Sequence, residues 1–164
     1  MRELPPAFAV SFLRKGLLGD KVKCHRTKNT GMAVCREKIA VKTQSGIFVD
    51  ITDSVRDVVA KSEIGSGICS IAALGSTAAI LVNENEPDLL EDIKNVLEDV
   101  ASSKKIWTHP ENAHSHIRAI LLGSEKSIPV ENSDLILGTY QRIFILENDV
   151  RDRKREIVIT IVGE

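Results

Sequence analysis

Alternation of apolar and polar positions begins at Lys38. Ile39 and Val41, then Ile47, Val49 and Ile51, sit every second residue on either side of Gln44-Ser45-Gly46, a pattern that predicts two strands joined as a β-hairpin. The period then lengthens. In DSVRDVVAKS, Val55, Val58 and Val59 share one helical face, with Asp53 placed to cap it and glycines 65 and 67 placed to stop it. GICSIAAL and TAAILVN are continuous apolar runs of strand length, joined at Gly75-Ser76 and suited to burial on at least one face.

The clearest helix lies in NENEPDLLEDIKNVLEDVASSKK. Leu89, Leu90, Ile93, Val96, Leu97 and Val100 form one stripe, acids and amides fill the other side, and Pro87 suits the first helical position. Asn83 and Asn85 stand where helix caps are common. A shorter helix should start near Asn112 and run through HSHIRAILLG, with Gly123 as its left-handed stop. SIPV, LILGTYQRIFILE and REIVITIVG complete the chain as strands, the last two placed to pair across the charged DVRDRK turn. The order β-β-α-β-β-α-α-β-β-β is neither regular βα alternation nor all-β, and it predicts an α+β fold with mainly antiparallel sheets.

At 164 residues the chain suits one domain. Its 43% hydrophobic and 27% charged residues are the balance of an ordinary globular protein, and no apolar run approaches the roughly 20 residues of a membrane span. Glu3 and Pro5-Pro6 interrupt the layout of a secretory signal, so a cytoplasmic protein with no membrane partner is expected. Cys24, Cys35 and Cys69 form neither an even set nor a C-x-x-C pair, and they read as reduced and structural.

Charge is unevenly spread. Met1 to Arg36 carries eight Lys or Arg against two acids, and the remainder carries fourteen against twenty-one. Residues 1–36 therefore form a basic extension on an acidic body, 37–164. Such an arm either contacts nucleic acid or docks on its own body; KVKCHRTK lacks the interleaved aromatics that stack on bases, which favours docking. Met32, just ahead of the regular strand pattern, is an alternative start position.

Three of the four histidines fall within WTHPENAHSH, residues 107–116. Successive helical residues are about 100° apart, so His114 and His116 would point to roughly opposite sides of a regular helix. A helix beginning only at Ser115 would instead free His114 to converge with His116 or His109. Imidazoles near a helix start suit phosphate or pyrophosphate, while a metal would need three or four converging ligands. The plainer reading has them cap, bridge or line a subunit contact. Tyr140 and Gln141, within an apolar strand pattern, would need buried partners. Arg142 could hold a phosphate, although an intersubunit ion pair is favoured. Ser76, Thr77 and Ser124 also suit plain turn roles. The chain has no phosphate-loop, dinucleotide-binding or nucleophile-elbow motif.

VDIT at 49–52, STAAILVNEN at 76–85, NAHSHIRAILLGS at 112–124, LGTYQRIF at 137–144 and the closing IVGE occur in the order and spacing of the YjbQ-like family. From about Glu37 to Glu164 the chain resembles these proteins, often labelled secondary thiamine-phosphate synthases. The resemblance implies a two-sheet β-sandwich with packed helices, assembled as a homotrimer. It implies a histidine-lined pocket for a phosphorylated metabolite or other anion, or for a divalent metal, and a transferase joining a hydroxymethylpyrimidine diphosphate to a thiazole phosphate. On that basis His116, His109, Glu84 and Gln141 are the catalytic candidates. Thr77, Asn85, Ser124, Tyr140 and Arg142 are the substrate-binding candidates, and His109, His114 and His116 are the metal-ligand candidates. One departure stands out: the family pattern carries a histidine where this chain has Gly75, and glycine can neither bind a metal nor move a proton. A ligand-binding or regulatory protein that has lost catalysis is therefore the alternative, with nucleic-acid binding through the basic arm as a further one.

Overall fold

The computed structural model describes residues 23–26 and 31–164. Strands β1 (Lys23–Arg26), β2 (Ala33–Thr43) and β3 (Phe48–Asp50) precede helix α1 (Thr52–Ser62). Then come β4 (Ser66–Ala73), β5 (Ala78–Glu84), α2 (Pro87–Val100) and α3 (Ala113–Leu122). Four strands follow: β6 (Glu125–Glu131), β7 (Asp134–Leu135), β8 (Gln141–Glu147) and β9 (Arg153–Gly163). The fold is α+β, as the sequence pattern predicts, with β1 and the two-residue β7 as additional strands.

Two antiparallel sheets are present among the described residues, one of six strands in the order β1-β2-β9-β4-β6-β7 and one of three in the order β3-β8-β5. Their alternating inner positions make the core. Ile39 and Val41 of β2, Cys69 and Ile71 of β4 and Ile157, Ile159 and Ile161 of β9 meet Ile80, Ile143 and Ile145 of the small sheet and Val55, Val58 and Val59 of α1. Phe144 and Leu146, of opposite parity on β8, are buried too, so this middle strand is covered on both faces and its sequence loses the polar alternation of a half-exposed strand.

Pairing across sheets overturns two expectations. β2 and β3 are separated by the Gln44–Ile47 turn, where Ile47 N–H donates to the Gln44 carbonyl, but β2 pairs with β9 and β3 with β8. They are not a hairpin. Likewise β8 and β9 enter different sheets rather than pairing across the charged turn. In both places the connection carries the chain from one layer to the other, and burial of both inner faces outweighs local closure.

Local caps also differ from the pattern. Asp50, not Asp53, secures the start of α1, accepting from the Thr52 backbone N–H at 2.9 Å and from Thr52 Oγ1 at 2.6 Å. The helix ends on Glu63 in the left-handed region at φ 57°, two residues before Gly65. Glu86, rather than Asn83 or Asn85, caps α2 by accepting from the N–H groups of Asp88 and Leu89. A longer carboxylate at that position reaches both orphan donors.

Gly67 has a different task from helix stopping. It lies opposite Gly163 across β4 and β9, where an added Cβ would approach the Val162 carbonyl oxygen to 2.2 Å. The cysteine expectation is also corrected: Cys24 and Cys35 face each other in the β1–β2 register and are disulfide-bonded, leaving Cys69 as the free, buried thiol, which burial pushes up to about 12. The odd count concealed a cross-strand pair plus a core residue. That same pairing sets Lys23–Arg26 against residues 33–36, the end of the basic extension itself, which β2 carries into the sheet; residues 1–22 and 27–30, with the signal-sequence reading, lie outside the described residues.

A buried ion pair ties the two sheets together. Glu147, at the end of β8, is fully buried, and its carboxylate accepts from Arg155 of β9 through Nε at 2.7 Å and Nη2 at 2.6 Å. It also accepts from Thr43 Oγ1 of β2 at 2.7 Å and from the Asp149 backbone N–H at 3.0 Å. Arg155 Nη2 further donates to Thr77 Oγ1 at 2.6 Å. The hydrogen bonds to Glu147 raise the Arg155 guanidinium above its ordinary value. Beside it, Asp149 pairs with Arg153 at 2.5 Å. Burial works against ionisation of Asp149, but hydrogen bonds from Arg153, Asn112 and the Val150 N–H outweigh it and hold the carboxyl below its ordinary value.

Three outcomes follow. Gly67→Ala should destabilise the protein by about 1–3 kcal/mol in urea denaturation, because backbone on the facing strand cannot yield as a side chain can; unaltered stability would show that β4 and β9 separate freely. Glu147→Leu and Arg155→Met should each cost about 3–5 kcal/mol, and the double variant less than either alone, since each single change strands a buried charge. Additive losses in a double-mutant cycle would contradict this. Asp149 contributes stability that is complete above pH about 4 and lost as pH falls through its lowered folded value; Asp149→Asn should flatten that acid limb of a thermal-melt profile.

Candidate functional site

α3 begins at Ala113, so His114 and His116 are both helical and face apart. The stretch before it is folded on itself: Trp107 Nε1 donates to the Ser102 carbonyl at 2.9 Å, and Lys105 Nζ lies 4.3 Å from the Trp107 ring centroid. This returns His109 to the start of α3, where its ring meets that of His116 edge to face at 5.6 Å between centroids. Asn112 Oδ1 accepts from His109 Nε2 at 3.0 Å, which requires the proton on that nitrogen. Asn112 Nδ2 donates to Asp149 Oδ1 at 3.2 Å. Its side chain therefore joins the histidine pair to the Asp149–Arg153 pair instead of capping the helix.

His116 opens onto a cavity of about 250 Å³ bordered by Gly75, Ser76, Ala78, Gly123 and Ser124. Thus Gly75, where the resemblance implies a histidine, shares a cavity with His116. Gly75 adopts φ +121°, a conformation L side chains rarely take, and a Cβ there would meet Arg155 Nη1 at 2.5 Å. The guanidinium of the inter-sheet pair thus borders the space a side chain would need.

His114 is buried on the other side of α3. Burial, together with the nearby Arg118 charge, lowers it below the ordinary imidazole value, against the opposing pull of Glu98 and Asp149. Arg118 donates to the Ala101 carbonyl and to Glu98. Burial opposes ionisation of Glu98, but hydrogen bonds from Ser102, Arg118 and Ser103 overcome this and bring it down to about 2. Among the described residues no three His, Cys, Asp or Glu side chains converge as a metal-ligand set.

The remaining candidates divide by position. Ser124 borders the His116 cavity, while Thr77 is buried and engaged by Arg155. Glu84 pairs across the sheet with Gln141, six residues along β5 from Ala78, which places it about 20 Å away from the cavity end of that strand. Asn85 lies at that same far end, 3.5 Å from Asp50. Tyr140 and Gln141 are exposed rather than buried in an apolar setting; they stand before β8 enters the core, with Gln141 Oε1 accepting from the Gly138 N–H at 2.8 Å. Arg142 is committed within its own chain, to Asp50 at 2.8 Å and Asp53 at 3.2 Å, so no second subunit is needed to account for its charge. A single chain therefore gathers His109, His116 and Ser124, and separates them from Glu84, Asn85, Tyr140, Gln141 and Arg142.

Sequence reasoning missed Asn112 as a bridge and missed Glu147, Asp149 and Arg155 altogether. One signal was present: Glu147 closes an otherwise apolar strand run, an arrangement that calls for a buried partner. The charged residues after it read as a solvated turn, although Asp149 and Arg153 pair within it and Arg155 reaches back to Glu147 in the other sheet.

The sequence model of the family described as UPF0047 protein YjbQ-like matches residues 37–164. A UPF0047 protein of Methanothermobacter thermautotrophicus is 37% identical over 137 residues, covering 81% of this chain and 95% of the relative. The crystal structure of a YbjQ-like protein of unknown function from Sulfolobus solfataricus superposes with a TM-score of 0.78 at 41% identity, covering 81% of this chain and 99% of that one. A Clostridium acetobutylicum protein of the YjbQ/UPF0047 family gives 0.72 at 35% identity over 76% of this chain and 98% of its own. In sequence and in architecture, the chain belongs to the YjbQ-like UPF0047 family.

Proposed function

We propose that the His116 cavity binds the phosphate group of a small metabolite. The observation that carries this reading is the joint position of His116, backed by His109 5.6 Å away, with Ser76 and Ser124 around one cavity of about 250 Å³. Imidazole N–H groups and hydroxyls are donors suited to phosphate oxygens, and Asn112 fixes the orientation of His109. Direct contact is better supported than a metal. Within one chain two imidazoles are fewer than the three or four protein ligands of a zinc site, and His114 faces away from the other two, so a metal would need a ligand from a neighbouring copy.

The reaction we attach to this cavity is a thiamine-phosphate synthase-type transfer, in which the protein positions two phosphorylated substrates and stabilises departing diphosphate. His116 and His109 would hold the anionic oxygens, His109 as the imidazolium through Nδ1, since its Nε2 is given to Asn112. Bringing Glu84 and Gln141 to the same substrate requires a neighbouring copy, and a homotrimer is the assembly we infer. Its support is the uncovered apolar surface of the single chain: Ile120 is 80% exposed, Tyr140 71% and Val96 59%. A binder without turnover is the second reading, favoured by Gly75 in place of a histidine.

Calorimetric titration with pyrophosphate should give saturable binding that His116→Ala weakens by about 1.5–3 kcal/mol, one to two orders of magnitude in Kd, the worth of a hydrogen bond to a charged group. Undiminished affinity in that variant would overturn the site. Mixing His116→Ala and Glu84→Gln proteins after dissociation and reassembly should recover turnover if sites form between copies. No recovery, with both variants still assembling, would place the whole site within one chain. Gly75→His should lower the melting temperature, because the residue's backbone must hold φ +121° and its Cβ must displace Arg155.

A further inference from the structure

The two histidines of α3 border different spaces. His116 opens onto the cavity beside Gly75, whereas His114 borders a second cavity of about 300 Å³ between α2, α3 and the chain leaving β8. Three features of this second cavity point to one kind of occupant. Asn148 lines it, is only 6% exposed, and its Nδ2 has no hydrogen-bond partner among the described residues. A buried amide donor left unmet costs about 1–3 kcal/mol, so its retention there calls for an acceptor.

The charges agree with an acceptor that is also an anion. Lys94 and Arg118 line the wall. Arg118 is held in place by Glu98 and the Ala101 carbonyl, and Lys94 lies 3.3 Å from Glu91. The lining holds these two cations against one carboxylate, Glu147, whose oxygens already accept from Arg155, Thr43 and the Asp149 N–H. A cation would meet two like charges and could not accept from Asn148.

We propose that this cavity is a second ligand site, separate from the His116 cavity, which binds a small oxyanion, a carboxylate or phosphate group, through the Asn148 amide with Lys94 and Arg118 supplying charge. His114 closes one wall as a further polar contact. Substitution separates this role from a structural one. Because the Asn148 donor is unpartnered, Asn148→Leu should keep or raise the melting temperature while removing the anion contact. A structural asparagine would behave in the opposite way.

The test is nuclear magnetic resonance of the ¹⁵N-labelled full chain titrated with inorganic phosphate and, separately, with acetate. The Asn148 side-chain NH₂ signals are assigned by their loss in Asn148→Leu, and the His114 ring serves as a second reporter. A saturable shift of both reporters with at least one of the ions is expected. On the His114 reporter it should be absent in Asn148→Leu and in Asn148→Asp, which keeps the shape but removes the donor. Lys94→Gln should weaken it several-fold, and His116→Ala should leave it intact. Unmoved Asn148 signals with both ions would assign the amide to water and overturn the site. Wild-type titration of the His114 reporter in both Asn148 variants would also overturn it, and so would its loss in His116→Ala, which would return the ion to the first cavity.

Discussion

The alignment of the two sheets rests on the pair between Glu147 and Arg155, which meets the first cavity at Gly75 and lines the second through Glu147. The larger sheet supplies Arg155 and Thr43, the smaller supplies Glu147, and Thr77 comes from the connection into β5. Apolar contact between sheets is non-directional and would tolerate sliding. A fork of two guanidinium hydrogen bonds on one carboxylate does not, because its geometry is met at only one offset. Removal of both charges from water is costly, so the arrangement is better understood as setting alignment than as adding stability.

From this pair the polar network reaches outward through neighbouring residues rather than through a single shared ligand. Asp149 follows Glu147 by two residues, Asn112 joins Asp149 to His109, and His109 rests on His116. Both faces of α3 are therefore referred to the same buried clasp. Gly75 belongs to this arrangement, since the atoms of Arg155 border the space that a side chain at position 75 would use.

What was legible in the sequence is what depends on local periodicity. The stripe of α2, the start of α3 at its Asn112 boundary and the strand character of Ile157, Ile159 and Ile161 all follow from spacing along the chain. Strand partners were not legible, because a short connection between two strands has the same sequence signal whether it closes a hairpin or crosses between layers. The turn after Thr43 and the charged stretch after Glu147 both cross. The same blindness affected the site. His109 and His116 could be grouped by proximity in sequence, but Arg155 lies 39 residues beyond His116 and meets the cavity only through the sheet. The Cys24–Cys35 bond escaped because a count of three suggests no pairing, while the register places the two opposite each other.

The position of β9 has a consequence for how this molecule is assembled in time. It lies between β2 and β4, yet follows both in sequence, pairing residues 33–43 with 153–163. Until it arrives, the two earlier strands flank a gap one strand wide, with their hydrogen-bonding edges unmatched. Closure across so great a separation is slow relative to local helix formation, and the edges that β9 joins stay unmatched until it is made. The half-finished sheet, more than the finished one, is where this fold is vulnerable to capture by another copy of itself.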